Sequence, residues 1–192
     1  MLWLPAFKIG LWNAWILTLF LALHPLILIV VDKAVGTGQI FQKMGDVPDQ
    51  KGERKDSIIY TIVLLVFLAY SIFLPLKVST LWFYAGLTIY VLGLVIFLST
   101  IVNVARTPLG QPFTQGMYRF SRHPGYLSLF IIFVGVSVAT ASWISMLISI
   151  VYLVMLRKQG IAEEQACLEI YGAEYQEYMH RTPRWIGIPK SS

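Results

Sequence analysis

The chain has 192 residues, of which 57% are hydrophobic and only 13% charged, with a mean hydropathy of +0.67. Soluble domains carry about 25% charged residues, so this composition excludes an ordinary soluble protein and indicates an integral membrane one. The net charge of +5 does not indicate nucleic acid, because the basic residues are scattered over loops and form no stripe. The single cysteine, Cys167, rules out an internal disulfide and reads as a small packed residue.

Four apolar blocks follow one another, at about residues 9–31, 58–76, 81–102 and 125–158. A crossing needs about 20 apolar residues, so each of the first three supplies one span. The first block is too long for a signal peptide and ends in Val30-Val31-Asp32-Lys33 without a small-residue cleavage pattern, so it reads as a retained span. It contains His24-Pro25. An intramembrane His is a functional candidate, but a His beside a Pro also satisfies a carbonyl freed by the kink. Segment 32–57 is polar and Gly-rich and reads as a mobile cytoplasmic connection. Gly86 and Gly93 mark a small-residue face of the third span for close helix contact.

The fourth block is too long for one ordinary span and is interrupted by Thr140-Ala141-Ser142. It reads as a hairpin of two helices, each about 16 residues and ~24 Å long. Lys8 and Lys77 are the only basic residues on one side of the spans, and the other 13 lie on the opposite side. By the positive-inside rule the N-terminus is outside, the C-terminus is cytoplasmic, and the number of crossings is odd. Five crossings satisfy this.

Two polar clusters bracket the hairpin. In segment 103–126, Pro108, Gly110, Pro112 and Gly116 precede Tyr118 and favour a folded loop with exposed amides. Pro124 suits the first position of the next helix, which places Arg122 and His123 beside its free N–H groups. An interfacial Arg/Tyr anchor is the plainer reading of this segment. After Gly160 come Glu163 and Glu164, near the start of an expected amphipathic helix over 161–180. Leu168, Tyr171, Tyr175 and Tyr178 define one face of it. Glu164 falls in the middle of that face and Glu163 at its edge, where a carboxylate calls for a cation or several donors. Favourable placement in the helix dipole is the alternative.

The ordered set Thr114-x-Gly116-x-Tyr118-x-x-x-Arg122-His123-Pro124-x-Tyr126, Glu163-Glu164, Tyr171-Gly172-x-x-Tyr175-x-x-Tyr178 and Arg181-x-Pro183 resembles the isoprenylcysteine carboxyl methyltransferases. Their relatives, the phospholipid N-methyltransferases and small prokaryotic membrane methyltransferases, share it. The similarity covers about residues 100–185. It implies an all-α membrane bundle, here about five transmembrane helices with a C-terminal amphipathic helix, forming one domain over 1–192. Residues 1–100 would supply three spans and the cytoplasmic loop, and 101–185 the cofactor-binding region. The resemblance further implies S-adenosyl-L-methionine as cofactor, in a cytoplasmic pocket formed by Asn103, Gly110, Gln111, Pro112, Phe113, Tyr118, His123, Pro124, Gly125, Tyr126 and Glu163. No metal is implied.

Members acting on isoprenylcysteine carry an Arg four residues before the first Glu. Here that position is Gln159, with Arg157 and Lys158 nearby, so Gln159 and Arg157 become the substrate-side candidates. The acceptor is left open among a carboxylate, an amine and a thiol on a lipophilic or small molecule. Glu164 and His123 are the candidates for a catalytic base. Two rivals are an NADPH-dependent lipid reductase, since sterol reductases have a similar Arg-His-x-x-Tyr element, and a non-catalytic membrane subunit. Two adjacent carboxylates suit a phosphate-rich cofactor poorly.

Overall fold

The computed structural model describes residues 8–35, 38–45 and 53–189. Seven helices are present among them: α1 (Trp15–Val35), α2 (Ile40–Gly45), α3 (Glu53–Ser71), α4 (Leu81–Arg106), α5 (Pro124–Ala139), α6 (Trp143–Tyr171) and α7 (Ala173–Arg181). A 3-10 turn occupies Gly116–Arg119. There is no strand among the described residues, only an isolated bridge between Asn13 and Pro75. α1, α4 and α6 are long and apolar enough to cross a membrane, and the apolar parts of α3 and α5 are shorter.

Local chemistry accounts for the helix ends. Thr80 accepts a hydrogen bond from the Phe83 N–H to start α4, and Ser142 accepts from Ser145 to start α6. Pro124 occupies the first turn of α5, where its missing N–H would have had no partner. Within α1, Pro25 removes the N–H that would have reached Leu21. The His24 ring nitrogen Nδ1 lies 2.7 Å from that carbonyl and takes its place.

The tightest packing lies between α4 and α5. A Cβ at Gly86 would stand 2.2 Å from the Ala139 backbone nitrogen, and one at Gly135 would stand 2.5 Å from that of Tyr90. Small residues let the two backbones meet, and dispersion then acts along the whole seam. α5 also joins α6 through Ser137, whose hydroxyl lies 2.8 Å from Ser145 and 3.2 Å from Ser149. Phe133 on its remaining side stacks on Phe67 of α3, with ring centroids 3.9 Å apart.

Backbone hydrogen bonds gather one end of the bundle. Ala14 donates to Leu74, Leu76 to Trp12 and Lys77 to Ala139, so the start of α1, the end of α3 and the α5–α6 turn are neighbours. The opposite end holds the close of α4, the start of α5 and the last third of α6.

Two expectations are corrected. The helix expected over 161–180 does not exist as a unit. α6 runs unbroken through Gly160 for 29 residues, and the chain breaks instead at Gly172, at φ 55°. At ~1.5 Å per residue α6 is about 43 Å long, so the second arm of the hairpin is not the short helix expected, and its end projects past a hydrocarbon core of about 30 Å. Nor is 32–57 wholly a mobile connection. Asp32, Ile40 and Lys43 are buried, Asp32 accepts from the Ile40 N–H, and the Lys43 amine donates to the Ala105 carbonyl at the end of α4. Burying such groups is tolerated because each finds a partner. Lys51, Lys190 and the side chains of Arg54 and Lys55, counted among the cations above, lie outside the described residues.

Candidate functional site

The far end of the bundle is organised around Glu164. Its side chain is 3% exposed and receives a two-pronged pair of hydrogen bonds from Arg184, Nε to Oε1 at 2.9 Å and Nη2 to Oε2 at 2.7 Å. His123 Nε2 adds a third contact at 3.0 Å. Arg122 Nη1 stands 3.2 Å from Oε2, without the geometry of a hydrogen bond. A buried carboxylate survives only with such compensation. Arg122 Nε and Nη1 are buried and make no hydrogen bond.

His123 is held from every direction. Its ring is parallel to Tyr126, with centroids 5.4 Å apart and planes 7° apart. Its backbone N–H donates to Ser121 Oγ. Gly160 also abuts the ring, where a Cβ would come within 3.1 Å of Nε2. Nδ1 is 3.4 Å from Glu163 Oε2, so the ring bridges two successive residues of α6. Burial alone would lower the affinity of the imidazole for a proton, but the contacts to Glu163 and Glu164 outweigh it and raise the pKa from the ordinary 6.5.

The C-terminal segment closes this cluster. Arg122 N–H donates to Pro183, Gly187 N–H to Phe120, Ser121 Oγ to the Arg184 carbonyl and Tyr178 Oη to the Tyr118 carbonyl. Burial, and after it the charge of Glu163, push the Tyr118 phenol well up, so it stays neutral. The tyrosine face expected across 168–178 does pack together, with Cys167, Tyr175 and Tyr178 buried, although it is divided between α6 and α7.

Beside the cluster lies a cavity of about 480 Å³, within the range of small-molecule sites. Of the cofactor and substrate candidates named above, Phe113, Tyr118, His123, Gly125, Tyr126, Glu163 and Gln159 line it, as do His24 and Arg122, which the sequence also singled out. Asn103, Gly110, Gln111, Pro112 and Pro124 do not. Gly110 and Gln111 are exposed, Pro112 and Pro124 are buried, and the Asn103 side chain packs under Gly116, where a Cβ would collide with it at 2.2 Å. Arg157 is exposed and off the cavity. Glu164 lies behind the lining, with both oxygens engaged.

The rest of the lining was not singled out as cavity wall in the sequence. Arg122 completes the polar end. His24 and Leu28 of α1, Ile40 and Met44 of α2, and Phe97 and Ile101 of α4 form much of the remainder. These residues are far apart in the chain, and no periodic pattern marks them as one surface. Arg184, on which the cluster depends, sits one residue past the Arg181-x-Pro183 element. The only cue for it was the unpaired carboxylate on the inner face of α6.

A membrane helical bundle with a ligand-sized cavity at one end, charged on one wall and apolar on the other, is the class that fold and geometry define. Residues 81–174 match the family model described as phospholipid methyltransferase, which supports the phospholipid/isoprenylcysteine methyltransferase-type family for this chain. No curated protein matches the chain. The protein is therefore a membrane enzyme of a methyl-transferring family, which implies a methyl donor and a lipid-type substrate. The matched segment holds Arg122, His123, Glu163 and Glu164 and ends before Arg184.

Proposed function

We propose that the cavity binds S-adenosylmethionine beside Glu163 and that its methyl group passes to a lipophilic acceptor arriving from the bilayer. The supporting observation is the pairing of Glu163 with the buried His123 at the polar end of a cavity whose remaining wall is apolar. The donor set suits this cofactor. Glu163, 33% exposed, offers a carboxylate to an ammonium, Arg122 Nε, buried without a hydrogen bond, calls for an anionic oxygen, and Phe113, Tyr118 and Tyr126 offer aromatic surface to an adenine. When bound, the cofactor supplies an electrophilic methyl on a sulfonium.

In this reading His123 is a positioning residue that orients Glu163 and ties it to the Glu164 cluster. Gly125 keeps the first turn of α5 open toward the cavity. Asn103, Gly110, Gln111 and Pro112 shape the loop that carries Phe113, and Pro124 sets the start of α5. Glu164 serves as the structural anchor and not as the base. Gln159 faces the acceptor, and the apolar wall of α1 and α4 receives its hydrocarbon. Holding donor and acceptor in line supplies roughly 7–11 kcal/mol of the barrier reduction. The distribution of Lys and Arg supports an orientation with the cavity end and the C-terminus cytoplasmic.

Calorimetry in detergent with S-adenosylhomocysteine and with NADPH tests this reading. The first binds and the second does not. Glu163→Gln weakens the first by about 10- to 100-fold, the worth of a charge-assisted hydrogen bond of ~1.5–3 kcal/mol. Binding of NADPH alone makes the protein a reductase, and binding of neither makes it a non-catalytic subunit. An unchanged affinity in the variant removes Glu163 from the site.

A further inference from the structure

The cavity brings a second histidine to the site from outside the family-matched segment. His24 lies in α1, at the only proline-interrupted turn of that helix, and lines the same cavity as His123 and Glu163. Its Nδ1 is 2.7 Å from the Leu21 carbonyl. A carbonyl only accepts, so Nδ1 carries the proton and Nε2 keeps its lone pair. The bond that repairs the proline kink thereby fixes the tautomer and leaves the Nε2 lone pair unused by that bond, on a residue that lines the cavity.

The other ionisable groups that line the cavity are engaged or unsuited to accept a proton. Both ring nitrogens of His123 face carboxylates. Glu163 faces that ring, and in the reading above it also holds the ammonium of the cofactor. Arg122 is a permanent cation. Tyr118 is kept neutral by burial, and Tyr126 is a phenol stacked on His123. Among the described residues, the elements packed against α1 add no further ionisable group to the cavity lining. Lys43 of α2 donates to the Ala105 carbonyl, Tyr90 of α4 donates to Leu17, and Tyr60 of α3 donates to Met155.

We infer that His24 is the general base of the transfer, and that the acceptor therefore presents a nucleophile that arrives with a proton, an amine or a thiol on a lipophilic body, rather than a carboxylate. This rests on the methyl-transfer reading above. The carbon–sulfur bond of the donor breaks with its electron pair left on sulfur. The lone pair of the acceptor forms the new carbon–nitrogen or carbon–sulfur bond, and the proton of the acceptor passes to His24 Nε2. The apolar wall beside His24, formed by Leu28, Phe97 and Ile101, suits the hydrocarbon of such an acceptor.

Three measurements on the full-length protein in detergent or vesicles test this. First, nitrogen NMR of 15N-histidine-labelled protein, assigned with a His24 variant, shows neutral His24 protonated at Nδ1. A proton on Nε2 overturns the inference. Second, His24→Asn keeps an N–H donor for Leu21 and removes the base. Its affinity for S-adenosylhomocysteine is unchanged, while methyl transfer from radiolabelled S-adenosylmethionine falls about 100-fold or more, the usual worth of general-base catalysis. Added imidazole restores part of the rate in His24→Ala. Transfer by His24→Asn at the wild-type rate overturns the inference.

Third, wild-type protein is offered phosphatidylethanolamine, dodecanethiol or palmitic acid, each in phosphatidylcholine vesicles. It methylates the amine or the thiol, and which of them is modified decides between the two. Transfer to palmitic acid alone, or to none of the three, overturns the inference and leaves the cofactor reading standing. Failure of the wild-type protein to bind S-adenosylhomocysteine removes that reading itself.

Discussion

The two ends of α5 are held by opposite means. Along its length it is fastened to α4 by missing side chains, with Gly86, Gly93 and Gly135 letting backbone meet backbone. At its start it is fastened to α6 by charge, through Arg122 and His123 gathered on Glu164. The first seam is strong because nothing in it needs a partner, so any added atom harms it. The second is strong only while every member is present, because a buried charge without its counter-charge is costly. A site that must hold a polar ligand has to be built the second way, and the glycine seam makes its geometry reproducible.

The largest effect should come from breaking the charged end. Glu164→Gln leaves Arg122, Arg184 and His123 without their common anion and costs about 3–5 kcal/mol, the range for opening a buried pair from one side. Thermal unfolding in detergent reads this. A variant as stable as wild type would show that the cluster is not a structural anchor. Next comes the glycine seam. Gly86→Ala forces a methyl against Ala139 and costs about 1–3 kcal/mol, whereas Gly125→Ala meets only the Thr100 methyl at 3.9 Å and should leave stability nearly unchanged. Equal losses in the two variants would dissolve the contrast.

The smallest effect sharpens the comparison by pH. The folded protein raises the pKa of His123 above 6.5, so the folded state binds the proton more tightly than the unfolded chain does. The stabilisation is fully present below pH 6.5 and is lost as pH rises through the folded value. Unfolding temperatures measured from pH 6 upward should therefore decline in wild type. The decline should be reduced in His123→Asn, since the glycine seam contains nothing that titrates in this range.

Much of this was readable from the chain. The order of the apolar helices, the turn at Thr140-Ala141-Ser142, Pro124 as the opening of α5 and the inward-facing Glu164 all follow from periodicity and turn chemistry. Among the described residues, however, only three of the five expected spans are long and apolar enough to cross a membrane. What misled was Gly160. A glycine inside a helix costs about 1 kcal/mol relative to Ala, which argues for a helix boundary there. The structure keeps the helix and uses the missing Cβ to admit the ring of His123. The buried Lys43 and Asp32 were unreadable for a related reason. A polar, Gly-rich stretch looks solvated until one knows that the end of α4 offers a carbonyl for the amine. His24 was read as either a functional group or a kink-mending one; its bond to the Leu21 carbonyl mends the kink, and the functional role is the proposal built on that bond.

The lacing of the tail to the turn before α5 bears on how the protein is made. Successive hydrophobic segments can leave the translocation machinery one at a time, each stable enough in lipid to wait for the next. Arg184 and Pro183, which complete the bonding of Glu164 and Arg122, emerge from the ribosome after the last of those segments. Until then a buried carboxylate lacks its strongest partner, so maturation of the site is a late event in biogenesis, separate from insertion itself.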